Sequence, residues 1–190
     1  MKTYISLLRG INVSGQNKIR MPELKLAYEA LELSNVVTYI QSGNVIFDCE
    51  EQEPAPLGRS IEAELARSNG ISVRVFLRNI DHFEQIINNN PFSTQRNEDP
   101  EKLHVSFLSD SPSESALSNL PLPADPKISG AGKADEFMVY DKEIYLFCPN
   151  GYGRTKLSNS FFERKLSVSA TTRNWKTVNA LFEIANQRQP

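Results

Sequence analysis

The segments KTYISLL (2–8) and KLHVSFL (102–108) share their length, their apolar character and the positions of a lysine and a serine. Three further pairs follow in the same order, at spacings of 95 to 100 residues: TYIQSGNVIFDC (38–49) with FMVYDKEIYLFC (137–148), LGRSI (57–61) with LSNSF (157–161), and LRNIDHFEQII (77–87) with TRNWKTVNALF (172–182). Four ordered matches are not expected by chance. Self-similarity at a fixed spacing indicates that the chain holds two copies of one folding unit.

The first copy shows the element order of this unit. Four segments are apolar and rich in β-branched or aromatic residues, which predicts strands: KTYISLLR (2–9), VVTYIQ (36–41), NVIFDC (44–49) and ISVRVFL (71–77). Amphipathic helices are expected from Pro22, after EEQEPAP (50–56) and over IDHFEQIINN (80–89). The order β-α-β-β-α-β is that of a ferredoxin-like fold. The sequence therefore predicts an α+β protein of two ferredoxin-like βαββαβ units with additional helices, antiparallel sheets and internal duplication.

The domain limits follow from the spacing of the repeats. The first unit with its extra helix is expected at 1–91, and the second unit with the C-terminal helix at 102–190. Residues 92–101 are expected to form a linker, because the stretch PFSTQRNEDP (91–100) is polar, as boundaries between domains tend to be.

Composition limits the class of protein. Of 190 residues, 39% are hydrophobic and 23% are charged, with a formal net charge of −2, which is typical of a globular chain and excludes disordered and fibrous classes. No run of 18 apolar residues is present, so no membrane span is expected, and Gly10 comes too early for the core of a signal peptide. Two cysteines are too few for a disulfide framework, which favours a cytoplasmic protein with free thiols.

Charge is distributed unevenly, and two regions lack acids almost completely. The first 20 residues carry four basic side chains and no acid, and residues 154–176 carry six basic side chains and one acid. In a ferredoxin-like unit, the end of the first strand lies beside the hairpin between strands two and three. One edge is therefore expected to gather the polar residues Arg9, Asn12, Asn17, Lys18, Gln41, Ser42 and Asn44.

The opposite edge of the second unit is expected to gather a similar group, at the ends of strands three and four. Its members are Arg154, Lys156, Thr172, Arg173 and Asn174. Both groups offer cations, amide donors and backbone N–H groups freed by glycine, which together can hold a phosphate or a carboxylate. The alternative is structural: Gly43 and Asn44 form a turn, and Asn174 caps the last helix.

The sequence lacks the residues that several other kinds of functional site require. The spacing Gly10-x4-Gly15 resembles a phosphate-binding P-loop, but Gln16 and Asn17 follow where that loop needs lysine and a hydroxyl. His82 and His104 have no histidine or cysteine at metal-ligand spacing, so we expect no metal and no cofactor. The nucleophile motif G-x-S-x-G and the RNA-binding aromatic motif are absent as well.

The motifs LLRGINVSGQNKIRMPEL (7–24), TYIQSGNVIFD (38–48), NGYGRTKLSNSFFERKL (150–166) and ATTRNWKTV (170–178) resemble those of a bacterial family of uncharacterised proteins, domain of unknown function family 1697. Ser14 stands where a second glycine is usual, and Gln16 where lysine is usual. The resemblance implies a two-lobed α/β protein of ferredoxin-like units in the bacterial cytoplasm. It implies no activity, substrate, cofactor or catalytic residue.

The function expected from these residues is binding of a small anion, such as a phosphate, a nucleotide or a phosphorylated metabolite. Two alternatives stay open. One is an enzyme of unassigned class that uses the same loops, and the other is a module that binds a protein or a nucleic acid. An enzyme would need a proton-transfer group, which these loops lack in a convincing setting.

Overall fold

The computed structural model describes residues 1–13, 15, 17–120 and 134–188. The chain forms two compact units. Unit 1 comprises Met1–Gln85 together with Ala180–Pro190, and unit 2 comprises Ile86–Asn179. Within the described ranges, no helix combines the length and the apolar character needed to cross a bilayer.

Unit 1 contains a four-stranded antiparallel sheet in the order β2-β3-β1-β4. Its elements, in chain order, are β1 (Lys2–Leu8), α1 (Met21–Glu29), β2 (Ser34–Tyr39), β3 (Asn44–Cys49), α2 (Pro54–Asn69) and β4 (Val75–Asn79), followed by α3 (Ile80–Asn88). This element order and this strand order are those of the ferredoxin-like fold. Strand β4 begins four residues later than the sequence pattern suggests, because the preceding residues 71–74 are not paired in the sheet.

Unit 2 repeats the arrangement, with the strand order β6-β7-β5-β8. Its elements are α4 (Pro91–Thr94), β5 (Leu103–Leu108), α5 (Glu114–Leu117), β6 (Glu136–Tyr140), β7 (Glu143–Phe147), α6 (Asn159–Leu166) and β8 (Ala170–Asn174), with short 3₁₀ helices at Pro100–Lys102 and Tyr152–Arg154. The last helix, α7 (Trp175–Asn186), begins in unit 2, and its residues from Ala180 onward belong to unit 1. The predicted α+β class with two four-stranded antiparallel sheets is therefore confirmed.

The two sheets share their registers as well as their strand orders. In unit 1 the backbone N–H of Leu8 donates to the carbonyl of Gly43, over 2.8 Å, and in unit 2 Leu108 donates to Lys142 over the same distance. The fourth strand of each unit ends in an asparagine whose Oδ1 accepts from a backbone N–H in the first turn of the next helix. The hairpin loops differ, since four residues join β2 to β3 and two join β6 to β7. Strands β2 and β6 are therefore offset by two residues from the match seen in sequence.

Helices α1 and α2 cover one face of the first sheet. Leu24 and Tyr28 of α1 are fully buried there with Leu65 of α2, and the hydroxyl groups of Tyr28 and Ser6 lie 2.6 Å apart. Pro22 occupies the first turn of α1, where no N–H is needed, and Gly70 ends α2 with a φ of 65°. The start of α1 and the end of α2 are therefore explained by the residues at these positions.

The second sheet has a smaller helical cover. Helix α6 buries Phe162 and Leu166 against Leu108 and Ile144, whereas α5 consists of a single turn. The free thiols of Cys49 and Cys148 are buried at equivalent positions on β3 and just after β7. Both cysteines therefore contribute to packing.

The expected linker, residues 92–101, carries structure of its own. Phe92 is 1% exposed, and its ring stacks on that of Phe147 with centroids 6.0 Å apart. The guanidinium of Arg96 lies over both rings and forms ion pairs with Glu98 and Glu136. In the chain, the boundary between the compact units falls between Gln85 and Ile86, and residues 180–190 group with unit 1.

Replacing Phe92 with alanine is expected to lower the free energy of unfolding by about 3–5 kcal/mol, because a fully buried aromatic ring is lost from unit 2. The control is Gln95→Ala at an exposed position of the same stretch, with an expected change within about 0.5 kcal/mol. Urea denaturation of both variants measures the difference. Equal stabilities would show that residues 92–101 act as a linker without a packing role.

Candidate functional site

The end of β1 meets the hairpin between β2 and β3, as the topology requires. Gly43 has a φ of 74°, and a Cβ at this position would come within 2.6 Å of the Ile11 side chain and 2.9 Å of Leu8. The loop after β1 therefore packs directly on the hairpin, and only glycine fits at the contact. We call the surface formed by residues 9–13, 15, 17–20 and 40–44 the unit 1 edge.

Asn12 ties the unit 1 edge together. Its Nδ2 donates to the carbonyls of Ile19 and Gln41, both at 3.0 Å, and its Oδ1 accepts from the Ile19 backbone N–H at 2.9 Å. The backbone N–H of Asn12 also donates to the carbonyl of Asn17. This one side chain thus closes the loop on itself and fastens it to the hairpin.

Two further asparagines hold the backbone at the same edge. Nδ2 of Asn17 donates to the carbonyl of Gly10 at 3.3 Å. Asn44 is fully buried, and its Nδ2 donates to the carbonyl of Tyr39 and to the Ser42 hydroxyl, both at 3.0 Å. These bonds agree with the structural role considered for Asn44, in which it helps to form the turn. The side chains of Asn12 and Asn17 likewise hold the backbone of the loop.

The backbone of the unit 1 edge adopts left-handed conformations unusually often. Asn12 and Asn17 have φ values of 54° and 44°, and the φ angles of Gly10, Gly15 and Gly43 are also positive. Ile40 has a φ of 51° although it is β-branched, and its side chain is 50% exposed. A β-branched residue in this region is strained, and such strain persists only where surrounding contacts hold it.

The side chains presented at this edge are cationic or polar. Lys18 and Gln41 are exposed, Arg9 and Ser42 are half-buried, and the Arg9 N–H donates to the carbonyl of Arg74. The neighbouring acids are already engaged by cations. Glu23 pairs with Arg20, whose hydrogen bond lowers the pKa of that carboxyl, and Glu62 lies 3.7 Å from Arg74.

The equivalent edge of unit 2 has a different character. There the loop after β5 carries Asp110, and the two-residue turn carries Asp141, whose carboxylate accepts from Ser111 at 2.5 Å. The acid-free character of the unit 1 edge is therefore a property of that copy and not of the fold.

The second predicted group does not form one surface. Arg154 and Lys156 are exposed on the loop after β7, whereas Thr172 and Arg173, as neighbours on β8, point to opposite faces of the sheet. Asn174 accepts from the Thr177 N–H at 2.7 Å and so caps α7, which is the structural role considered for it.

Arg173 is only 8% exposed. Its Nη1 donates to the Thr171 hydroxyl and to the carbonyl of Thr172, and burial lowers its pKa to about 10. Arg78 of unit 1 has the same place in its strand and likewise donates to the carbonyl of the residue before it. A buried guanidinium held in this way does not add charge to a surface that binds anions.

Thr172 belongs to a cluster of polar groups that sequence reasoning missed. Its hydroxyl lies 2.6 Å from that of Ser106 and 2.6 Å from Oδ1 of Asn159. Tyr152 also bonds to Thr172, and its ring stacks on that of His104 with centroids 4.8 Å apart. Burial raises the pKa of Tyr152 and lowers that of His104, so both are neutral near pH 7.

Neither thiol is activated. Burial is the main cause that raises the pKa of Cys49 and raises that of Cys148 to about 12, so both remain protonated at neutral pH. In the part of the chain that the structure describes, no three histidine, cysteine or acidic side chains are placed to hold a metal ion.

Comparison with known proteins shows the family to which the chain belongs. The model of the family described as "Protein of unknown function (DUF1697)" matches residues 1–145. The chain belongs to the DUF1697 family. Among solved structures, it is similar to the conserved bacterial protein SP0830 from Streptococcus pneumoniae, with 24% identity, a TM-score of 0.71 and coverage of 97% of this chain and 98% of that one. At this identity the likeness shows the fold alone. A comparison with curated proteins found no match.

The missed cluster of this DUF1697 protein had a signal in the sequence. In the first matched pair of segments, KTYISLL and KLHVSFL, Tyr4 is replaced by His104. In the last pair, Leu77 is replaced by Thr172. Two apolar or aromatic positions of one copy are thus polar in the other, and comparing the copies residue by residue would have revealed it.

In the DUF1697 protein, Asn12→Ala is expected to open the loop after β1, because one side chain supplies three of its hydrogen bonds. Amide exchange at Ile19 should be about 10- to 100-fold faster, corresponding to a loss of about 1–3 kcal/mol. Amides of β5 in unit 2 serve as the reference and should keep their rates. Unchanged exchange at Ile19 would show that Asn12 does not hold the loop.

Proposed function

We propose that this protein binds a small anion, such as a phosphate or a phosphorylated metabolite, at the unit 1 edge. Arg9 and Lys18 would supply positive charge, and Gln41 and Ser42 would supply hydrogen-bond donors. The loop N–H groups add donors whose partial charge suits an anion. Asn12, Asn17 and Asn44 would position these groups without contacting the ligand themselves.

The observation that carries the proposal is the set of bonds made by Asn12. They hold the loop with the cations against the hairpin with the polar side chains, so the donors are in place before a ligand arrives. Such preorganisation reduces the entropy lost on binding. The left-handed backbone of both segments, including the strained Ile40, is consistent with a surface shaped for more than a chain reversal.

The charges of the two copies favour unit 1 over unit 2. The unit 1 edge has its neighbouring carboxylates paired with Arg20 and Arg74, whereas the equivalent edge of unit 2 presents Asp110 and Asp141. An anion would be repelled by the second edge and attracted by the first. The predicted group of unit 2 contributes only Arg154 and Lys156 at its surface, and we do not include it in the proposed site.

Binding without catalysis fits the described residues better than an enzyme does. General acid–base catalysis needs a group that titrates near the working pH within reach of the substrate. The loop and hairpin of the unit 1 edge contain no histidine, cysteine or acid between residues 9 and 20 or between 40 and 44. Two buried free thiols also fit a cytoplasmic location, which we propose together with this function.

Inorganic phosphate and pyrophosphate are expected to stabilise the protein against heat, relative to sodium chloride of equal ionic strength. At a ligand concentration 100 times Kd, Tm should rise by about 5–10 °C. In Arg9→Ala and Lys18→Ala the increase should fall by at least half. The matched control is Lys142→Ala at the equivalent edge of unit 2, which should respond like the unaltered protein. No increase with either anion, or equal loss in the control, would contradict the proposed site.

A further inference from the structure

Two aliphatic side chains are exposed at the unit 1 edge. Val13, in the loop after β1, is 57% exposed, and Ile40, the first residue of the turn between β2 and β3, is 50% exposed. A single exposed aliphatic residue is common on a protein surface and needs no explanation. These two residues, however, lie in one place, and the contacts of Asn12 show it.

The side chain of Asn12 brings the two aliphatic residues together. Val13 follows Asn12 in the chain, and Ile40 precedes Gln41, whose carbonyl accepts from Nδ2 of Asn12 at 3.0 Å. Each aliphatic residue is therefore one position away from the same hydrogen bond, although one belongs to the loop and the other to the hairpin. We call Val13 and Ile40 the apolar patch of the unit 1 edge.

Cations lie beside the apolar patch. Lys18 is exposed, and the residues on both sides of it bond to Asn12. Arg9 begins the same loop, and its backbone N–H donates to the carbonyl of Arg74 at 3.0 Å. The side chains of Arg20 and Arg74 are 82% and 50% exposed, and each pairs with one carboxylate. Four cations against two carboxylates leave this end of the sheet positive.

The duplicated fold shows that the apolar patch is a property of unit 1. Ile40 has a φ of 51°, and Asp141, the first residue of the equivalent turn in unit 2, has a φ of 50°. Aspartate adopts this left-handed conformation more readily than a β-branched residue does. The loop after β5, SDSPS (109–113), contains no aliphatic counterpart of Val13. Unit 1 therefore carries a strained, exposed isoleucine where the same fold accepts an aspartate.

The combination of positive charge and exposed aliphatic groups defines the partner. The cations attract an anionic surface, and the aliphatic groups gain free energy when the partner removes them from water. A small phosphate would leave Val13 and Ile40 in water. Single-stranded nucleic acid is bound with aromatic side chains on which bases stack, and residues 9–20 and 40–44 include no aromatic residue. An anionic phospholipid bilayer offers phosphate groups with hydrocarbon directly beneath them.

We propose that the unit 1 edge docks on the surface of a bilayer that contains anionic phospholipids. The cations would contact the lipid phosphates, and Val13 and Ile40 would enter the boundary between headgroups and acyl chains. This inference rests on the proposed function, because the lipid phosphate takes the place of the small anion. Association of this kind is peripheral and needs no helix that spans the membrane.

Sedimentation of the full chain with vesicles tests the proposal. Vesicles of three parts phosphatidylcholine to one part phosphatidylglycerol are expected to bind the protein about tenfold more strongly than vesicles of phosphatidylcholine alone. Ile40→Asn and Val13→Ser should each weaken this binding about three- to tenfold, because less aliphatic surface leaves water. Asparagine favours the left-handed backbone at position 40, so Ile40→Asn should fold at least as stably as the unaltered protein.

Met138→Ser in unit 2 is the matched control variant, because Met138 is 51% exposed on β6. It should keep the vesicle binding, and Ile40→Asn should keep the thermal stabilisation by pyrophosphate, since the cations are unchanged. Stabilisation by pyrophosphate without binding to the anionic vesicles overturns this inference and leaves the proposed function in place, whereas absence of both overturns both. Equal vesicle binding by Ile40→Asn and the unaltered protein, or binding to polyuridylate in preference to the anionic vesicles, also overturns the inference.

Discussion

The rest of the structure depends on one constraint: the first strand of each unit is buried on both faces. Residues Thr3–Leu8 of β1 and Leu103–Leu108 of β5 have no exposed side chain. A strand with no solvent-facing side must lie inside the sheet and be covered above and below. Each takes an inner position between the third and fourth strands of its unit, and its end meets the hairpin between the second and third.

That meeting follows from the strand order that the two copies share, and the loops at it differ. Unit 1 has a twelve-residue loop with two structural asparagines and a four-residue turn followed by a third, Asn44, whereas unit 2 has a two-residue turn with acids beside it. Unit 2 instead changes the helix-facing side of its sheet, where His104 and Thr172 replace Tyr4 and Leu77. One scaffold thus carries different polar groups in its two copies, because these groups lie at positions that do not fix the fold.

The sequence predicted the duplication, the order of the elements along the chain and the meeting of the unit 1 loops, because apolar periodicity and repeat spacing encode burial directly. It did not predict the burial of Arg173, since a cation at the end of a strand is ordinarily expected in solvent. It did not predict the contact between Phe92 and Phe147, because Phe92 is a single apolar residue in a polar stretch and Phe147 is distant in sequence. Pairwise contacts of this kind leave no local pattern.

The most direct test of the account is to locate the anion on the chain by amide chemical shifts. In a ¹⁵N-labelled sample titrated with pyrophosphate, the account predicts that the largest changes fall in residues 9–20 and 40–44. Amides of the equivalent edge of unit 2, at residues 109–111 and 141–142, should move little. Changes centred on residues 150–156, or spread evenly over both copies, would contradict the assignment of the site to the first copy.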